Sequence, residues 1–137
     1  MPVSDALIAA ARRAREHAIA PYSSFRVGAA IQAADGRIIT GCNIENASYG
    51  LTMCAERVAL FKALSDGITG FTAVAVVADT PHPTPPCGAC RQLIWEFCGQ
   101  VPVALANLET VTSEHSSGEL LPWPFDGRTL EPDRGRR

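Results

Sequence analysis

Four residues in this chain have the types and spacing to do metal chemistry. Cys54 and Glu56 lie in Met53-Cys54-Ala55-Glu56-Arg57, and Cys87 and Cys90 lie in Pro85-Pro86-Cys87-Gly88-Ala89-Cys90-Arg91-Gln92. Cys-x-x-Cys offers two zinc ligands and Cys54 a third. A structural zinc normally has four protein ligands, whereas a catalytic one has three and keeps a fourth position for water. Glu56, two residues from a ligand, falls close to whatever fills that position. Zinc brings the pKa of a bound water to about 7, so the set suits a hydrolytic reaction.

Two other readings compete. Cys-x-x-Cys alone is equally a redox pair or half of a structural zinc knuckle. The redox reading leaves Cys54 and Glu56 without a role. The structural-zinc reading needs a fourth ligand, and Cys42, Cys98, His17, His82 and His115 stand at no regular ligand spacing from the other three. Cys54-x-Glu56 and the prolines before Cys87 favour the catalytic reading.

The elements that must position these residues follow from local pattern. Ser4 is a candidate cap for an alanine-rich helix running to about Ile19, with Leu7, Ala11, Ala14 and Ala18 on one stripe and Pro21 ending it. His17, near its end, reads as a surface residue. Residues 25–32 and 37–43 read as a strand pair joined by a turn at Asp35-Gly36; Cys42 in the second reads as a small buried hydrophobe. Thr52 is a candidate cap for a helix from about Met53 to Ser65 that buries Val58, Leu60, Phe61 and Leu64 and stops at Gly67. Residues 71–78 are apolar almost throughout, as in a central strand covered on both faces. A proline-rich loop over residues 79–86, with a solvent-facing His82, leads to a third helix opening at Cys87. Cys87 and Cys90, three apart, face one object from its first turn; Cys98 is more than two turns further and belongs to the core. Residues 101–108 are a fourth strand, and residues 110–114 supply a short fifth. The expected architecture is α/β, a three-layer α-β-α sandwich around a mixed five-stranded sheet. One domain is expected over residues 1–130, with a disordered tail at 131–137.

Length and composition bound the partners. The 137 residues suffice for one core. A net charge of −2 with no basic run argues against nucleic acid as a main partner. No stretch approaches a membrane span, and residues 1–14 carry no secretory pattern. Five cysteines without an export signal point to a reducing compartment, the cytoplasm.

Cys-x-Glu followed by Pro-Cys-x-x-Cys resembles the zinc deaminase signature in its all-cysteine form, in which the Glu carries protons and is not a ligand. The chain resembles the short, zinc-dependent cytidine deaminases from about Phe25 to Phe125. The resemblance implies hydrolytic deamination of cytidine and 2′-deoxycytidine, with Zn2+ on Cys54, Cys87 and Cys90. Glu56 would take a proton from the attacking water, pass it to the ring nitrogen N3 and later protonate the leaving amine. The intact run Asn43-Ile44-Glu45-Asn46-Ala47-Ser48-Tyr49 matches the family's ribose-holding segment, with Asn43 and Glu45 on sugar hydroxyls and Tyr49 beside them. Phe25 matches an aromatic that packs on the pyrimidine. Ala55 would present its backbone to the base edge, and Cys87 a backbone N–H near the attacked carbon. Arg57, three residues from Cys54, is placed to donate hydrogen bonds to thiolates and offset the charge of three of them on one metal, or to face solvent. The family's Leu-Leu-Pro-x-x-Phe motif matches Leu120 to Phe125; Asp126-Gly127 stands where family members usually have Gly-Pro. A homotetramer is implied, with Phe125 covering the base in a neighbouring subunit. Blasticidin-type aminohydrolases share the Cys-Ala-Glu arrangement, and the ribose run favours a plain nucleoside over them.

Overall fold

In a computed structural model of the protein, which describes residues 3–130, the apolar run Phe71–Ala78 forms strand β3 at the centre of a five-stranded sheet. Its antiparallel neighbour β1 (Val27–Ala33) pairs on its other edge with β2 (Ile38–Cys42). On the far side β3 runs parallel to β4 (Pro102–Ala106), which pairs antiparallel with β5 (Val111–Ser116). The sheet is therefore mixed, in the order β2-β1-β3-β4-β5. The one parallel pair requires a crossover, and α3 (Gly88–Cys98) supplies it between β3 and β4.

Helices cover both faces, as the continuous apolar character of β3 requires. Helix α1 (Asp5–Arg15) packs on one face, its Leu7, Ile8, Ala10 and Ala11 against Ala73, Ala75 and Val77. Helix α2 (Ala55–Ser65) and α3 pack on the other, against Val74 and Val76. Alternate β3 side chains thus feed two cores. Complete burial of Leu7 and Leu60, one on each side, is worth about 1.5–3 kcal/mol each. Two glycines set the helix distances. A Cβ on Gly28 would lie 2.0 Å from the Ala11 carbonyl oxygen, and one on Gly41 would lie 2.5 Å from the Ala59 nitrogen.

Several boundaries differ from the sequence expectation, each for a tertiary reason. Ser4 caps α1 as expected, its hydroxyl accepting from the Leu7 N–H, but the helix ends at Arg15. Ile19 is instead taken into a short bridge: its N–H donates to Asn43 O and its carbonyl accepts from Glu45 N. His17 lies exposed beyond the helix. Thr52 does not cap α2; its hydroxyl accepts from Asn46 N, and Cys54 holds the cap position. The buried face of α2 is Ala55, Glu56, Ala59, Leu60 and Ala63, while Phe61 is exposed and Val58 half-buried; the backbone of Ala55 and Ala59 lies directly against Gly41. Cys42 is half-buried. Beyond β5 come two single turns of helix, α4 (Ser117–Leu120), closed by a capping box between Ser116 and Glu119, and α5 (Gly127–Leu130). The expectation for residues 131–137 lies outside the described residues. Among the described residues no helix is long and apolar enough to cross a membrane.

Candidate metal centre and substrate cavity

Two helix N-termini meet at one point, and a cysteine occupies the cap position of each. Cys54 caps α2 and Cys87 caps α3, both in extended backbone, and neither side chain bonds its own helix as a serine or aspartate cap would. The thiols are thus free for another partner. Cys90, fully buried in the first turn of α3, completes the set. The three Sγ atoms lie within 4.8 Å of one another, and Cys54 and Cys87 are 3.8 Å apart. Zn–S bonds of about 2.3 Å set tetrahedrally place sulfurs roughly 3.8 Å apart, so the trio fits a zinc ion. Among the described residues no other group of three or more His, Cys, Asp or Glu converges in this way, and no fourth such residue joins this one. The redox reading of Cys-x-x-Cys therefore loses ground to a metal centre.

The trio borders a cavity of about 240 Å³. Phe25, Asn43, Glu45, Ala55 and Glu56, all singled out in the sequence, line it together with Cys54 and Cys87. Glu56, only 5% exposed, projects from the first turn of α2. Asn43 is buried: its Oδ1 accepts from Val27 N at 2.8 Å and its Nδ2 donates to Phe25 O at 2.8 Å. An amide offers four hydrogen-bonding positions, so half of its capacity is used on the backbone. Glu45 accepts from the N–H groups of Tyr22 and Ser23 and from the Ser23 hydroxyl. The Ser23 hydroxyl also accepts from Phe25 N, linking the carboxylate to the predicted base-packing aromatic. Ser23 is absent from the sequence reading. The available signal was its place between Tyr22 and Phe25 in a turn after Pro21, where the left-handed Ser24 (φ 57°) reverses the chain.

Comparison with known proteins decides the family. Residues 1–105 match the family model described as the cytidine and deoxycytidylate deaminase zinc-binding region. The chain belongs to this family. It is 55% identical over 127 residues to a cytidine deaminase of Sporosarcina psychrophila, covering 92% of this chain and 93% of that one. A cytidine deaminase of Halalkalibacterium halodurans is 57% identical over 125 residues, covering 90% and 95%. The crystal structure of a cytidine deaminase from Burkholderia pseudomallei superposes with a TM-score of 0.86 at 50% identity, covering 90% of this chain and all of that one. This family member is accordingly a zinc-dependent aminohydrolase with the α/β fold of its relatives.

The electrostatics of the deaminase site follow from its packing. The Cys54 thiol is held well below its ordinary pKa, first by a hydrogen bond from Cys90 and then, against its own burial, by Arg57. Arg57 Nη2 stands 3.2 Å from Cys54 Sγ, within hydrogen-bond reach of the sulfur. Its Nε is buried and has no hydrogen-bond partner among the described residues. Burial pushes Glu56 up to about 7, into the range of a group that both takes and gives protons near neutrality. Tyr49 and Phe125 stand apart from the cavity. Tyr49 is 73% exposed and sits edge-on to Tyr22 in an adjoining depression that shares Ser23, Glu45 and Thr52 with the cavity. Phe125 is 60% exposed, and the cavity lining of its own chain does not include it.

Proposed function

We propose that the chain deaminates cytidine and 2′-deoxycytidine, water replacing the 4-amino group and ammonia leaving, with Cys54, Cys87 and Cys90 holding the zinc. When bound, zinc supplies the acidity that makes water a nucleophile at neutral pH. The chain's own residues do the rest. Glu56 accepts the proton of the incoming water and delivers it to N3; it then takes the proton of the hydroxyl now on C4, as the carbonyl forms, and gives it to the departing amine. One carboxylate serves all these positions because they surround one point. Phe25 packs on the pyrimidine, Ala55 meets its edge through the backbone, and the Cys87 N–H lies near the attacked carbon. Asn43 and Glu45 take the sugar hydroxyls, with Tyr49 beside them. The observation that carries this reading is a buried carboxylate two residues from one of three convergent sulfurs, on the wall of a nucleoside-sized cavity. Zinc content and turnover on cytidine, measured on the purified protein, test it directly. All five cysteines are free thiols, which suits the cytoplasm as its compartment.

The substrate is the nucleoside and not the free base. Polar groups built for hydroxyls are left unpaired by a ligand that lacks them, which costs up to about 10⁴–10⁵ in discrimination. Cytosine is expected to be deaminated several orders of magnitude more slowly than cytidine, with Glu45→Ala narrowing the gap. Equal kcat/KM for base and nucleoside would remove the reason for placing Asn43 and Glu45 on the sugar.

The working unit of this proposal is a homotetramer in which Phe125 closes a neighbour's cavity. An aromatic ring this exposed, next to a fully exposed Trp123, forms an apolar patch of the sort that marks an interface. Mixing inactive Glu56→Gln protein with Phe125→Ala protein should restore activity, because hybrid assemblies regain cavities with both residues intact. A fully active monomer by light scattering rules the arrangement out.

A further inference from the structure

The segment that carries Phe125 is tied to the face of α3 one turn beyond Cys87. Arg91 joins two backbone carbonyls, donating through Nε to Pro86 O at 2.7 Å and through Nη1 to Leu120 O at 3.0 Å. Gln92 Nε2 donates to the carbonyl of Phe125 itself at 2.6 Å. Trp95 Nε1 donates to Asp126 Oδ2 at 2.8 Å. Asp126 then gathers its own neighbour: Oδ1 accepts from the Arg128 backbone N–H, and the Arg128 guanidinium grips both oxygens, at 2.7 Å on Oδ2, while lying over the Trp95 ring. A buried carboxylate with every donor supplied by one helix and one turn thus sits directly beside an aromatic ring that is largely in solvent.

We propose that Asp126 is a positioning residue for the reaction: the Trp95–Asp126–Arg128 clasp, with Gln92, fixes the backbone of Phe125 so that its ring projects from the protein at a set point. The inference rests on the reading of Phe125 as the ring that covers substrate in a neighbouring copy. A single ring closing a cavity works only if it arrives in register, and misplacement by about 1 Å costs up to about 100-fold. Leu120 to Phe125 contains two prolines and one left-handed residue, Trp123 (φ 52°), and belongs to no strand or helix beyond Leu120, so no backbone ladder holds the ring. The clasp replaces the ladder. Bonds from Arg128 and Trp95 hold the Asp126 carboxyl well below the usual range, so it stays ionised and its grip persists across working pH. Because the ties from Arg91, Gln92 and Trp95 all start from α3, the ring is registered to the helix that Cys87 caps and that includes Cys90.

Steady-state kinetics on cytidine separate positioning from mere stability. Asp126→Ala and Trp95→Phe, which keeps a ring but loses the indole N–H, are each expected to raise KM about tenfold with kcat nearly unchanged. Light scattering should give the same mass as the parent. The double variant Asp126→Ala/Phe125→Ala should be no worse than Phe125→Ala alone, since a clasp has nothing to position once the ring is gone. Additive losses in the double variant, or an unchanged KM in Trp95→Phe while Phe125→Ala raises it, overturn the positioning role and leave the Phe125 reading intact. A silent Phe125→Ala overturns both. If Asp126→Ala fails to assemble, Trp95→Phe and its double with Phe125→Ala decide the matter.

Discussion

Glu56→Gln is expected to keep the zinc and lose nearly all turnover. Gln preserves the size and burial of the side chain, so α2 should stay in place on the sheet and the three sulfurs should stay convergent. What it removes is the capacity to hold and release a proton. Loss of a general acid–base group typically costs about 10²–10⁴ in rate. The cost here belongs at the upper end or beyond, because in the proposed mechanism one carboxylate serves the water, N3 and the leaving amine in turn. The structure supports that workload in two ways. Glu56 is buried at 5% exposure, which excludes competing bulk water, and burial raises its pKa to about 7. A carboxyl near 7 at working pH binds and gives up a proton with little free-energy change in either direction, as a shuttle requires. Metal analysis and single-turnover rates on the same preparation separate the two properties. A Glu56→Gln protein with near-normal kcat would sink the mechanism, and one that loses its zinc would make Glu56 a ligand.

Much of this site was legible from residue types and spacing. Cys-x-Glu and Cys-x-x-Cys carry their own chemical logic, and the hydrophobic run at residues 71–78 reads as an inner strand, which it is. What stayed hidden depends on tertiary partners. The loss of the last turn of α1 reflects the bridge between Ile19 and Ile44, a pairing across 25 residues that no local propensity encodes. Phe61 looks like a core residue by type, yet it falls on the exposed side of α2, whose buried face carries Ala55, Glu56, Ala59, Leu60 and Ala63. Thr52 has the chemistry of a cap, but a thiol takes that position two residues later, giving up a cap bond and joining the cluster of three sulfurs. Ser23 is invisible in isolation because its importance lies in holding Glu45 and Phe25 together. The Asp126 clasp is invisible for the same reason: its donors sit 31 residues away on α3 and two residues on in the chain.

Replacing any one of Cys54, Cys87 and Cys90 by Ala should abolish stoichiometric zinc binding, whereas Cys42→Ala and Cys98→Ala should bind as the parent does. The contrast follows from surroundings. Burial pushes the Cys98 thiol up to about 12 and the Cys42 thiol upward as well, so both remain protonated and inert. Cys54 is held low by hydrogen bonds from Cys90 and Arg57 and is ready to bind. The metal should also be part of the fold's stability, since its three proposed ligands come from the starts of two different helices, which it would tie together. A ligand at about 1,000 times its Kd that binds only the folded chain adds about 4 kcal/mol. For a chain of this size that corresponds to a Tm change on the order of 10 °C. A strong chelator should therefore lower the Tm of the parent, of Cys42→Ala and of Cys98→Ala by that order, reversibly on adding zinc. It should leave the Tm of the three ligand variants unmoved, because they have no metal to lose. The ligand variants separate two effects that activity alone would merge. Cys90, fully buried, should also lose packing when truncated, whereas Cys87, exposed at the start of α3, should lose only the metal. A chelator-sensitive Tm in Cys87→Ala, or zinc lost from Cys98→Ala, would mean that the metal is held by a different set of thiols.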